Sequence, residues 1–351
     1  VTAPSRRTAA APTVVSAAAA IAVAALLLWL AGAAPWEAAK TMAEGAFGSA
    51  DRIAATLLVW VPLVLASAGL VVTFAAGMWN IGVEGQIAAG AVAAAFIARE
   101  APGPPWAVVP LTIVAGAVGG GLWAMLAGAL RTKGNVNEIF GGLGLDFVAL
   151  GLTTYLVIGP WAREGTASTS GTDIFRDEAL LPTTTLFGAE APLLAVLLAL
   201  AAAAAVYLLL RGTMFGLRLK AVGKSPRSSH LLGIPNDRYV MGAFALGGAL
   251  AGVAGTVQAT GFHHKLVPAV SGGYGFLGIL VVLLAGLSAR AIAPIALFFV
   301  AVSAGSTLLE LRLGLDSAFG GVLQSVIVLF VMFGVALALR RRRPPAGGGE
   351  P

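Results

Sequence analysis

The sequence has 351 residues, 58% hydrophobic and only 11% charged, with a formal charge of +6 and no cysteine. No single water-soluble core needs that much apolar material, so the composition points to a chain that crosses a bilayer repeatedly. The missing thiols exclude a disulfide framework, a thiolate metal site and a thiol nucleophile within this sequence.

A spanning helix needs about 20 mostly apolar residues to cross roughly 30 Å of hydrocarbon. By that measure ten spans are predicted, at 14–34, 53–77, 78–98, 106–130, 136–158, 192–210, 239–261, 272–287, 291–309 and 318–339. The expected fold class is therefore all-α and integral to the membrane. The first span ends near Ala31, Gly32 and Ala33, a small-residue pattern shared with signal-peptide cleavage sites. Its apolar run exceeds the roughly 7–15 residues of such signals, which favours a retained helix.

The third segment carries Asn80, Glu84 and Gln86 near its start. An ionised carboxylate at mid-membrane costs about 2.5–3.5 kcal/mol on insertion scales, so Glu84 is expected to face a partner or a wet cavity rather than lipid. Asn80 and Glu84, four residues apart, are expected to share a face, with Gln86 pointing to a neighbouring helix. Two readings of Glu84 stand side by side: it lines a solute path, or it caps backbone amides at a helix start.

The fifth segment opens with a second polar cluster, in which Glu138, Gly142 and Asp146 fall on one stripe. Asn135 is placed to cap that helix and Asn137 lies beside it. The Gly116/Gly120 and Gly248/Gly252 spacings predict close helix–helix approach. The segment 159–191 is polar and rich in Thr, Gly and Pro, either a docking surface or a solvated loop.

Charge fixes an orientation. With the N-terminal segment 1–13 inside, the inner segments collect 15 of the 22 basic residues, and the outer ones hold 11 of the 16 acids. This bias places both termini, including the tail 340–351, on the cytoplasmic side. The longest inner segment, 211–238, is basic and is expected to hold a short amphipathic helix over about 215–222, with a second starting after Ser225 and Pro226. It either merely fixes topology or docks a cytoplasmic partner.

The stretch GVEGQI, 82–87, matches GFLGIL, 275–280, in the register of its two glycines. Five spans lie between them, an odd number, so the copies enter from opposite faces. That predicts an inverted repeat of helices two to five and seven to ten.

Several motifs fall short of chemistry. VGKS at 222–225 ends like a phosphate-binding loop, but Arg218 stands where that loop needs glycine. Gly273, Gly275 and Gly278 have dinucleotide-loop spacing without the flanking strand and later acid. His263 and His264 have too few companions to form a metal site. No cofactor, catalytic residue or nucleic-acid partner is expected, and no enzymatic site can be assembled.

Four stretches together resemble the permease subunits of ABC importers of the branched-chain amino acid and simple-sugar group, nearest the nucleoside-type branch. They are NIGVEGQ (80–86), TKGNVNEI (132–139), LKAVGKSPRSSHLLGI (219–234) and GGYGFLGILVVLLAG (272–286). The resemblance implies an inverted helical repeat in the plasma membrane, working with cytoplasmic ABC ATPase subunits, a second permease chain and an extracytoplasmic binding protein. The second permease would be identical or, as is common in the nucleoside branch, different. The resemblance also implies that 219–234 contains the helix that fits an ATPase groove.

Two departures bear on the solute: Leu277 stands where the last motif often has an acid, and Asp146 where helix five often has Asn. The chain is thus expected to be one permease domain, with 211–238 as its coupling loop, translocating nucleosides or simple sugars. Asn80, Glu84, Asn137, Glu138 and Asp146 are the pathway candidates; Arg218, Ala221, Val222, Gly223, Pro226 and Gly233 are the coupling candidates. The rival reading is an ion-coupled secondary transporter that moves a proton on Glu84 or Asp146.

Overall fold

The structure is a computed structural model that describes residues 6–163, 170–186, 188–316 and 318–340. Parts of the N-terminal segment and of the 159–191 loop, and the tail beyond Arg340, lie outside the described residues. The chain divides into two compact units, one of residues 54–297 and one of 1–53 with 298–351.

Within the larger unit, α3 (Ala50–Ala75) leads through a turn into α4 (Val83–Glu100), followed by α5 (Pro105–Thr132) and α6 (Glu138–Ile158). A short hairpin pairs Thr184–Leu186 with Ala189–Ala191, a small departure from the purely helical expectation. Then come α7 (Leu193–Gly212), α8 (Met214–Lys224), α9 (Pro226–Leu231) and α10 (Asn236–Val257), which runs into a π-helical segment, Gln258–Phe262. The 11-residue α11 (Tyr274–Leu284) and the start of α12 (Ala289–Leu313) complete it.

The glycine pattern decides how α4, α5 and α10 pack. A Cβ on Gly252 would lie 2.0 Å from the Gly116 carbonyl oxygen, one on Gly120 2.4 Å from that of Gly248, and one on Gly90 2.2 Å from the Cα of Gly252. Only backbone fits at these crossings, so dispersion between close-packed main chains replaces the side-chain interlock of a soluble bundle.

The smaller unit holds α1 (Arg6–Leu30), α2 (Pro35–Phe47), the rest of α12 and α13 (Phe319–Arg340). Leu28, Ala33, Ala38, Leu309, Leu315 and Leu323 form its core. A Cβ on Gly45 would lie 2.8 Å from the Cα of Gly305, and Glu44 pairs with Arg312. The sequence reading has no α2. Gly32, at φ +84°, and Pro35, at the first helical position, turn the chain so that α2 runs at 100° to α1.

Every predicted span coincides with a helix. By length and apolar composition alone, however, six of the described helices qualify as spanning: α3, α5, α6, α7, α10 with its π-helical end, and α12. The bent pair of α1 and α2 makes a seventh if counted as one. α13, α4 and α11 fall short, the last two for clear causes. α4 carries Glu84, Arg99 and Glu100 in 18 residues, and α11 extends only about 16 Å at 1.5 Å per residue. Both are helices that begin inside the bundle, and their starting points define the candidate site.

Candidate functional site

The chain leaves α3 through Gly77, at φ +74°, and Gly82 occupies the N-cap position of α4 without a capping side chain. The amides of a first helical turn have no intrahelical acceptor. Asp146 of α6 supplies one from outside: its Oδ1 accepts a 2.7 Å hydrogen bond from the Gly85 amide. α6 comes close enough because Gly82 and Gly142 meet backbone to backbone, a Cβ on Gly142 falling 2.7 Å from the Gly82 nitrogen.

The same device recurs at α11. Its N-cap, Gly273, also lacks a capping side chain and sits at φ +79°. Glu84, second residue of α4, supplies the acceptor: its Oε1 takes bonds from the amides of Gly275, at 2.8 Å, and Phe276, at 3.2 Å. Glu84 is only 8% exposed. A Cβ on Gly275 would fall 2.9 Å from the Glu84 nitrogen, so the first turns of α4 and α11 are in direct contact.

The two acids therefore act in series, Asp146 on the positive end of α4 and Glu84 on that of α11. A carboxylate at such an end gains hydrogen bonds and a favourable helix dipole, about 0.3–1 kcal/mol on a surface and up to about 2 when partly buried. This explains a carboxylate in an otherwise lipid-like stretch.

Three expectations are corrected. Asn80 does not share a helical face with Glu84, because α4 starts only at Val83. Asn80 and Gln86 instead form a reciprocal amide pair at 3.0 and 2.8 Å, both 1% exposed. Gln86 thus bonds within its own segment rather than to a neighbouring helix. Asn137, not Asn135, caps α6, its side chain accepting from the Ile139 amide at 2.9 Å; Asn135 takes the left-handed turn before it, at φ +51°. Glu138 pairs with Arg131 at 3.1 Å, and Asp146, eight residues on, stands about 12 Å along α6. The structure brings Glu84 and Asp146 together around α4; Asn137 and Glu138 form a separate group at the α5–α6 turn.

Inside 211–238, Thr213 caps α8 by accepting from the Gly216 amide at 3.1 Å, and Ser225 caps α9, with Pro226 at the first helical position. Gly233 makes the turn that follows, at φ +75°, and Arg218 Nη1 donates to the Tyr239 hydroxyl at 3.2 Å. Val222 faces inward, packed with Ala124, Ala127, Val240 and Phe244, so it holds α8 to the bundle and offers nothing to a partner. Ala221 is half-buried.

Gly223 lies against the α3–α4 turn: a Cβ there would fall 2.3 Å from the Ala75 carbonyl oxygen and 2.8 Å from the Gly77 nitrogen. The most exposed large apolar side chains of the segment are Leu231 and Leu232, 80% and 78% exposed, beside exposed Lys224 and Arg227. Neither leucine is among the coupling candidates expected from the sequence. Their only signal was an apolar pair at the end of a basic segment.

A cavity of about 860 Å³ forms a groove along α4, α5 and α6, lined by residues such as Val92, Phe96, Leu122, Leu152 and Leu156. With so few polar groups to orient a solute, it suits hydrocarbon. A smaller one, about 140 Å³, lies between Phe74, Gly77, Met78 and Trp79 of the α3–α4 turn and Leu283 and Leu287 of the end of α11.

A bundle of apolar helices with two interrupted ones meeting at their N-termini is the architecture of a membrane permease. The chain belongs to the family described as branched-chain amino acid transport system / permease component, which it matches over residues 52–336. It is 33% identical over 280 residues to a glucose ABC transporter permease of Haloferax volcanii, covering 78% of this chain and 73% of that one. A guanosine ABC transporter permease of Bacillus subtilis is 26% identical over 320 residues, covering 90% and 91%. A nucleoside ABC transporter permease of Lactococcus lactis is 28% identical over 271 residues, covering 74% of each.

Proposed function

We propose that this chain is a membrane-spanning subunit of an ATP-driven importer in the plasma membrane, translocating nucleosides, with simple sugars as the alternative solute. The observation that carries the reading is the contact between the first turns of α4 and α11, one capped by Asp146 and the other by Glu84. Discontinuous helices that meet inside a bundle form solute sites in transporters built from repeats. The relatives named for guanosine, nucleosides and glucose favour the solute class.

In this reading residues 1–351 form one permease domain with ten spans, both termini cytoplasmic. Helices two to five and seven to ten are the inverted repeat. Its matching stretches, 82–87 and 275–280, are the ones whose helix starts touch, as elements on either side of a pseudo-two-fold axis would. Glu84 and Asp146 border the pathway as the groups that hold its two helix ends; Asn80 stands behind them, and Asn137 and Glu138 flank the inner mouth.

ATPase subunits dock on 211–238 through Leu231, Leu232, Lys224 and Arg227, while Ala221, Gly223, Pro226 and Gly233 shape the element and Arg218 braces it. The contact between Gly223 and Gly77 carries motion of α8 into the turn that starts α4, and Glu84 carries it on to α11. A second permease chain, different from this one, and an extracytoplasmic binding protein complete the assembly.

The test is uptake of radiolabelled guanosine and glucose into proteoliposomes containing the assembled complex. We expect uptake that needs ATP on the cytoplasmic side and stops when the ATPase is omitted. Uptake by this chain alone, independent of ATP and abolished by an uncoupler, would establish the secondary transporter instead.

A further inference from the structure

The π-helical segment Gln258–Phe262 changes the helical phase just where α10 ends, and such insertions recur at functional sites. It places Gln258, 2% exposed, beside the start of α11. The Gln258 side chain lies beside the Tyr274 ring, and its Oε1 has no hydrogen-bond partner in this buried position. Turning the amide over would exchange an unpaired acceptor for an unpaired donor without removing it. A buried polar atom without a partner is the exception in folded proteins and calls for an explanation.

The surroundings define what could satisfy it. Gly272, exposed and at φ +56°, leaves the pair open: a Cβ there would lie 3.1 Å from Tyr274 Cε2 and 3.6 Å from Gln258 Nε2. Ser67 Oγ, fully buried and also unpartnered, lies further along α11, 3.4 Å from where a Cβ on Gly278 would be. The nearby Glu84 already serves the amides of Gly275 and Phe276 through its Oε1, and the groups gathered beside Gly272 are neutral: an amide, a phenol and an aromatic ring. Neutral donors and acceptors beside an aromatic face suit a polyhydroxylated, uncharged ligand.

We propose that Gln258 and Tyr274 are the solute-selecting pair of this permease, taking a hydroxyl of a ribose or hexose ring at the open start of α11. The proposal rests on the importer reading and deepens it. It assigns recognition to a feature shared by nucleosides and sugars, and to residues other than the two capping acids.

The experiment compares ATP-dependent uptake of guanosine and 2′,3′-dideoxyguanosine by the reconstituted complex, for the unaltered chain, Tyr274→Phe and Gln258→Leu. Dividing each variant's guanosine preference by that of the unaltered chain cancels the selectivity of the binding protein. A site built around a solute hydroxyl discriminates strongly against an analogue that lacks it. We expect the preference to fall about tenfold in both variants, with dideoxyguanosine uptake within about twofold of the unaltered chain.

A preference unchanged in Tyr274→Phe, which removes one oxygen and keeps the ring, overturns the proposal, as does an unaltered complex indifferent to the two hydroxyls. Should Gln258→Leu fail to assemble with the ATPase, Tyr274→Phe decides alone. A complex that hydrolyses ATP but takes up neither guanosine nor glucose removes the underlying solute class. That outcome is separable from a selective complex whose selectivity ignores Tyr274.

Discussion

Replacing Glu84 separates a helix cap from a solute ligand. Glu84→Ala strips the acceptor from the Gly275 and Phe276 amides in a site where the carboxylate is 8% exposed. A buried donor left unsatisfied costs about 1–3 kcal/mol, and the lost dipole interaction adds up to about 2. Water entering beside exposed Gly272 recovers part of this. The expected net loss is about 2–5 kcal/mol. Glu84→Gln keeps a carbonyl oxygen and nearly the same volume, so it should cost only about 1 kcal/mol.

Chemical unfolding in mixed micelles measures both, and hydrogen exchange across 274–277 locates the effect, with faster exchange in Glu84→Ala than in Glu84→Gln. If Glu84→Ala were as stable as the unaltered chain but inactive, Glu84 would be a solute ligand and the capping account would be wrong.

Further predictions follow from the same contacts. Asp146→Ala should expose the Gly85 amide and lose about 1–3 kcal/mol, and combined with Glu84→Ala it should be non-additive by more than about 0.5 kcal/mol, since the two caps share α4. Gly223→Val should weaken coupling, because its Cβ would fall 2.3 Å from the Ala75 carbonyl oxygen; overpacking of this kind costs about 1–3 kcal/mol, and ATP hydrolysis should continue with reduced uptake. Leu231→Asp with Leu232→Asp should abolish copurification of the ATPase while leaving the unfolding midpoint of the isolated chain unchanged, since both side chains are exposed.

The features that were legible in the sequence are those that local composition decides. The apolar runs fall on helices, six or seven of which are long and apolar enough to span, and the Gly116/Gly120 and Gly248/Gly252 spacings predicted a close crossing that the structure contains. α9 was legible because Ser225 and Pro226 are local start signals.

What stayed hidden depends on partners distant in the chain. Nothing near Glu84 indicates that its acceptor serves amides at Gly275 and Phe276, and nothing near Val222 indicates that α8 turns that face to α5 and α10. α2 escaped because it is short and carries charge on both signs, so hydropathy sees a loop. Gln258 escaped because a π-helical insertion leaves no periodicity in the sequence.

The central claim is that the meeting point of α4 and α11 borders a route that opens alternately to the two sides. The sequence has no cysteine, so Ser271→Cys introduces a single thiol into this chain, whose labelling is read on its own gel band. In the reconstituted complex, a membrane-impermeant thiol reagent should reach this cysteine from the outer side in one nucleotide state and be shut out in the other, with excess solute slowing the reaction. A cysteine that stays unreactive from both sides in every nucleotide state, while Lys224→Cys labels readily, would contradict the account.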